Sequence, residues 1–200
     1  MTSRQRAEPL SREARREAIL HAVIPLLIEH GANVTTAQMA KAAGIAEGTI
    51  FRAFPDKTAL LHEAVRTSLD PSEALERIAA IDHTTSLDEQ LRRVSEILVE
   101  RSDRVHALVG ALRSFPPSDP KHGEGAHRAA IEANSLILWS VTRLLQEHSH
   151  LLRVEPARAA VAFRGLLHAV NFPLTEPSER MTIDEVVEVI LHGVSSETGA

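Results

Sequence analysis

The sequence has no cysteine, and aromatic residues make up only 3% of its 200 positions. Without cysteine it can form neither a disulfide nor a thiolate metal site, which suits a reducing compartment. No apolar run approaches the roughly 20 residues that span a bilayer. The first residues, with Arg4, Arg6 and Glu8, lack the apolar stretch of a signal peptide. The expected location is therefore the cytoplasm, with no membrane partner. Also missing are a G-x-S-x-G elbow, a phosphate-binding loop and a dinucleotide fingerprint, so neither catalysis nor a cofactor is expected. The eleven histidines raise the question of a metal. His122 and His127 stand five apart, and His148 and His150 flank Ser149. Neither pair has the i, i+4 helical spacing or a third ligand nearby, so no metal is expected.

What is present is enough to fold. Hydrophobic residues are 44% of the chain, sufficient to bury a core. The net charge of −5 disfavours a polyanionic partner, but it is unevenly spread. Met1 to Arg66 holds 9 basic and 7 acidic residues, whereas the remainder holds 13 basic and 20 acidic. A mildly basic front end precedes an acidic body, although an excess this small also arises by chance.

Helical periodicity runs through nearly every segment, and none alternates as a strand does. The expected fold is all-α, with about nine helices. The first covers about Arg12 to His30, between a Ser11 N-cap and a Gly31 stop, with Ile19, Val23, Leu26 and Leu27 on one stripe. Pro25 should kink it. Thr35 and Gln38 form a capping box for a helix ending near Ala43-Gly44, and a short helix follows over Glu47 to Ala53. Asp56 can cap a helix from Lys57 to Leu69, and Pro71 allows a break. Ser86 and Glu89 form a second capping box before a helix to about Glu100, with a shorter helix restarting at Ser102. Phe115 to Gly125 (FPPSDPKHGEG) reads as the clearest loop. Long helices follow over about Ala126 to His148 and from Pro156 to before Pro173. Thr182 and Glu185 cap a last helix to about His192, with Gly193 as its stop and a disordered end beyond. Domain boundaries are expected at 11–69 and 70–196.

Thr35 to Phe54 has the spacing of a helix-turn-helix. Ala40 is small enough for two helices to touch, and Gly44 accepts positive φ in the turn. Met39, Ala43, Ile45 and Ile50 are placed to lock the pair to a core. The outward face of the second helix would carry Glu47, Gly48, Thr49, Phe51 and Arg52. Arginine can bind guanine edges or phosphate, and threonine can serve either role. The helix starts near Thr36 and Lys57 can receive phosphates on their free N–H groups. Small helical pairs with alanine and glycine also serve simply to pack, so the offsets alone leave both readings open.

At these residues the sequence resembles the TetR family of bacterial transcriptional regulators. The run TTAQMAKAAGIAEGTIFRAFPDKTALL, Thr35 to Leu61, is similar to its DNA-binding signature, and ILHAVIPLLIEHG, Ile19 to Gly31, to its first helix. The likeness covers about Ser11 to Val65; beyond that it extends only to helix number and length. It implies a homodimer with three DNA-binding helices and a larger helical domain that binds a small effector. By position it implies that Thr36 and Lys57 contact phosphate, that Thr49 and Arg52 reach bases or backbone, and that Gly48 permits close approach; Thr35 joins them as a DNA-binding candidate. Two departures stand out. Ala46 replaces the usual Ser or Thr cap of the recognition helix, and Phe51 replaces a tyrosine whose hydroxyl bonds phosphate. An arm with Arg4, Arg6 and Arg12 can reach a minor groove or remain a solvated tail.

In the body, Val161, Leu166, Leu167 and Val170 line one late helix, and Ile183, Val186, Val187, Ile190 and Val194 line the last. The resemblance implies that these two helices pair with their copies; packing within one chain is the other reading. Trp139, Phe163 and Phe172 stand out among so few aromatics, and His106, Asn134 and His168 are polar within apolar stretches. His106, Asn134, Trp139, Phe163 and His168 are thus candidates for an effector pocket, each with the alternative of an ordinary core role. The scarcity of aromatics favours an aliphatic or modestly polar ligand. The expected function is a ligand-responsive transcriptional regulator, a repressor released from its operator by a small molecule. Its partners would be double-stranded operator DNA, an unknown small-molecule effector and a second copy of the chain. The alternative is a helical ligand-binding protein whose helix-turn-helix only packs; a helical enzyme ranks last.

Overall fold

The computed structural model describes residues 11–112, 120–171 and 176–194. The arginines at 4 and 6, Phe172, and the expected disordered end lie outside the described residues, as do positions 115–119 of the expected loop. Among the described residues there are nine α-helices and no strand. In chain order they are α1 (Arg12–His30), α2 (Thr36–Ala42), α3 (Glu47–Ala53), α4 (Lys57–Ser68), α5 (Ser72–Ala79), α6 (Leu87–Leu112), α7 (Pro120–Glu147), α8 (Pro156–Leu167) and α9 (Ile183–Val194). The long helices α6 and α7 contain 26 and 28 residues, too polar in any stretch to cross a membrane.

The helix starts follow side-chain chemistry. Ser11 Oγ accepts from the Ala14 N–H at 3.1 Å, and Asp56 Oδ1 accepts from the Ala59 N–H at 2.7 Å. Thr35 and Gln38 make both bonds of a capping box, as do Thr182 and Glu185. Pro25 does not interrupt α1. It is exposed, as is His21, whose carbonyl loses its helical donor, so water can supply the missing bond.

Three expectations are corrected. Ser102 starts no new helix; α6 runs unbroken, because Val94, Leu98, Val105 and Leu108 keep one periodic buried or half-buried face through that point. The expected break at Pro71 is present. Asp70 accepts from the Ser72 N–H at 2.9 Å and its hydroxyl at 2.7 Å, and this starts α5. The expected loop over Phe115 to Gly125 gives way to helix at Pro120, since proline at the first helical position forfeits no bond. Gly193 is not a stop, for α9 continues to Val194.

The chain divides into two compact units. The first takes the described residues of 1–68 and 107–126, the second those of 69–106 and 127–200. In the first, Ile19, Val23 and Leu27 of α1, Met39 and Ala40 of α2, Ile50 of α3, Phe54, and Leu60, Leu61 and Ala64 of α4 are buried. In the second, a single core joins α5 to α9 through Ile78, Leu91, Val141, Leu145, Phe163, Val186 and Ile190, among others. The predicted faces of α8 and α9 are thus largely used inside the chain: Leu167, Val186, Val187 and Ile190 are buried, while Val161 stays exposed, as does Val189 outside the predicted face.

Candidate nucleic-acid interface and body cavity

The link between α2 and α3 is built by backbone. Gly44 has φ 64°, one of two described positive-φ residues, both glycines. Its N–H donates to the Lys41 carbonyl at 3.2 Å, and the Ile45 N–H donates to the Ala40 carbonyl at 3.0 Å. This pair of bonds is a Schellman cap, which satisfies the last carbonyls of α2 while turning the chain. A side chain at Gly44 would meet nothing within 4 Å, so the glycine answers to the dihedral, not to crowding. Met39, Ala40 and Ile50 are buried where the two helices meet.

The start of α3 carries no side-chain cap, since Ala46 has none to offer. Glu47 stands in the first turn, where a carboxylate is favoured by the helix dipole. Its carboxylate accepts a hydrogen bond from the Thr36 hydroxyl, tying the beginnings of α2 and α3 together. Glu47, Gly48, Phe51 and Arg52 are exposed, and Thr49 is half-buried. Phe51, at 47% exposure, leaves a large apolar ring on this face. Thr35 is exposed and spends its hydroxyl on the capping box. Lys57 opens α4 half-buried, and that burial holds its ammonium below the usual lysine range.

One important residue carried no sequence signal. Arg16 of α1 reaches the Ala53 carbonyl at the end of α3 and the Glu63 carboxylate of α4. Its guanidinium also lies 4.4 Å from the centre of the Phe54 ring. A single side chain therefore fastens three helices and fixes how α3 is presented. No local pattern announces it, because its partners lie 37 and 47 positions away.

The second unit holds a cavity of about 260 Å³ among α6, α7 and α8. His106, Asn134 and His168 line it, three of the five residues singled out for an effector pocket. The other two are elsewhere. Phe163 is fully buried in the core, and Trp139 is 60% exposed on a different groove with Arg143 over its ring. The reason is helical phase: Trp139 is five positions after Asn134, about 140° around α7. The cavity also takes in Arg101 and Arg164, which the sequence reading passed over. A signal existed for Arg164, the one charge in the apolar run Ala159 to Leu167. Burial, and then the charge of Arg101, pull the Arg164 guanidinium below the usual arginine range. Burial likewise depresses His168, helped by Arg164 and His106.

Comparison with known proteins matches residues 19–64 to the sequence model of bacterial regulatory proteins of the tetR family. No curated protein matches the chain significantly. Solved structures do. A candidate transcriptional regulator from Saccharomonospora viridis, in complex with choline, superposes with a TM-score of 0.66 at 20% identity, over 94% of this chain and 100% of that one. A TetR transcriptional regulator from Streptomyces coelicolor gives 0.58 at 20% identity over 90% and 98%. The TetR-like regulator LfrR of Mycobacterium smegmatis, in complex with proflavine, gives 0.54 at 24% identity over 92% and 95%. At such identities the structures establish the fold, and the match over 19–64 establishes the head. Residues 19–64 thus carry the N-terminal helix-turn-helix of the tetR family of bacterial regulatory proteins, and the described chain has the fold of such regulators.

Proposed function

We propose that the protein is a ligand-responsive repressor: residues 11–69 bind an operator, and residues 70–196 bind an effector that releases it. The observation that carries this reading is the outward face of α3, where Gly48, Phe51 and Arg52 are exposed on a helix fixed by the Schellman turn and by Arg16. Glu47, Thr49 and Arg52 would address the groove. Thr35, Thr36 and Lys57 would address phosphates, with Phe51 against sugar. The Thr36 hydroxyl must leave Glu47 to do so, or Glu47 must itself accept from a cytosine amino group.

Effector binding is supported by the cavity in the second unit. Helix α6 contributes Leu98 to His106 to its wall and continues in sequence into residues 107–112 of the first unit. A ligand that favours one setting of that helix would bias DNA affinity by linkage. The choline and proflavine held by two of the fold relatives are consistent with such a use of the body. A homodimer through α8 and α9 is supported by Val161 and Val189, exposed at 50% and 47%. Two heads would then read half-sites about one helical turn apart.

The test is binding to the DNA upstream of the protein's own coding sequence against random DNA, at several salt concentrations. A regulator gives a large preference for its operator and a steep salt slope. Equal weak binding to both sequences overturns the proposal in favour of a ligand-binding protein whose helix-turn-helix only packs. Sedimentation that finds only monomer at micromolar concentration overturns the dimer.

A further inference from the structure

The cavity of the second unit has an uneven chemistry. Among the described residues its wall carries four basic groups, Arg101, Arg164, His106 and His168, and no carboxylate. The rest of the lining is mostly aliphatic, with Leu98, Val105, Ile137 and Leu167 prominent. Arg164 is the focus. Its Nη2 donates to Asn134 Oδ1 at 2.7 Å, which holds the guanidinium in place. Its Nε is buried without a hydrogen-bond partner, the one such side-chain atom among the described residues. Arg101 is also fastened, donating through Nη2 to the Leu69 carbonyl at 2.6 Å.

The electrostatics point the same way. Burial is the first cause depressing Arg101, with Arg104 adding to it and Asp70 and Glu73 opposing. Arg164 feels Arg101, and His168 feels Arg164 and His106. Like charges are held near one another in a partly dry site, a costly arrangement unless an anion shares it. A guanidinium fork is also the side chain best matched to a carboxylate.

We infer that the cavity binds a small organic carboxylate, with Arg164 Nε–H as the buried donor to its head group and the aliphatic wall around its body. Arg101 supplies the second positive charge, and Asn134 holds Arg164 in register. With its Oδ1 turned to Arg164, Asn134 keeps its amide N–H groups as further donors. This inference rests on the effector-pocket reading above and assigns that pocket its ligand class. It also separates this chain from its fold relatives: choline is a cation, and the two arginines would exclude it.

The experiment uses the full-length protein. Straight-chain carboxylates of two to ten carbons are titrated calorimetrically beside the alcohols of equal length and choline, and each is tested for release of operator DNA. At least one carboxylate should bind ten times or more tighter than its alcohol, and choline should not compete. Arg164→Leu should abolish that preference while circular dichroism stays near the wild type and the melting temperature does not fall. Should Arg164→Leu fail to fold, Arg164→Lys keeps a charge but loses Nε, and should cut carboxylate affinity at least tenfold. Alcohols binding as well as carboxylates, or no carboxylate distinguishing wild type from the Arg164 variants, overturns the inference. Release of DNA by choline or an alcohol from this cavity overturns the anionic class and leaves the effector reading standing. Carboxylate binding that depends on Arg164 but never alters DNA affinity supports the site and overturns its effector role.

Discussion

The face of α3 and the cavity of the second unit each present an arginine, but in opposite settings. On α3, Arg52 is exposed, so a polyanion would meet it through water and salt. In the body, Arg164 is half-buried, locked on Asn134 and left with an unpartnered Nε. An exposed charge of the first kind costs the free protein little and gains affinity that salt erodes. A charge of the second kind weakens the empty fold and gains where solvent screens least. The difference teaches where each region should be sensitive: the head to ionic strength, the body to the identity of one small molecule.

That contrast can be broken in several places. The largest effect is expected at Arg52. Arg52→Ala should weaken operator binding by about 1–3 kcal/mol if the side chain reads a base. If it touches phosphate instead, the salt slope should fall by about one. Melting temperature should not change, since the side chain is exposed; an unfolded variant would make Arg52 structural.

Arg16→Ala comes next. It removes the link from α1 to the Ala53 carbonyl and the Glu63 carboxylate, both part-buried. A loss of about 1–2 kcal/mol in chemical denaturation is expected, with weaker operator binding as a consequence of a looser α3. Retained stability would mean that α3 is held by packing alone.

Gly48→Ala should separate folding from reading. A Cβ there meets nothing within 4 Å in the free protein, so the fold should gain up to about 1 kcal/mol in helix propensity. If the glycine is there for close approach to DNA, operator affinity should fall even as the melting temperature rises. Unchanged affinity would move the backbone of α3 away from the groove.

The smallest effect concerns pH in the body. Burial, Arg164 and His106 hold His168 below its ordinary value, so the unfolded chain binds its proton first as pH falls. Stability from this residue is present above about pH 6.5 and is lost on acidification towards the lower folded value. Melting curves between pH 7.5 and 5.5 should show a steeper decline for the wild type than for His168→Gln. A bound carboxylate should flatten that decline, because the anion favours the charged imidazole.

How much of this was legible differs between the two regions for the same physical reason. The ends of helices α1 to α4 are set by Ser11, Thr35, Gly44 and Asp56, each acting on backbone within five positions. Local chemistry of that kind can be read directly. In the long helices the local signals misled. Ser102 looked like a cap and was carried along by the periodic face of α6, and the glycines after Pro120 looked like a loop and were taken into α7. Trp139 was singled out for its rarity, but rarity says nothing about helical phase, and the side chain faces another groove.

The sequence by itself determined an all-helical chain and a helix-turn-helix with Ala40, Gly44 and Ile50 in their places, because those depend on spacing and on one glycine's dihedral. Only the tertiary structure decided that Arg16 fastens three helices, and that Arg101, Arg164, His106 and His168 share one cavity. Those residues come from helices far apart in the chain. No periodicity encodes their meeting, which follows from the packing of α6, α7 and α8 around a common core.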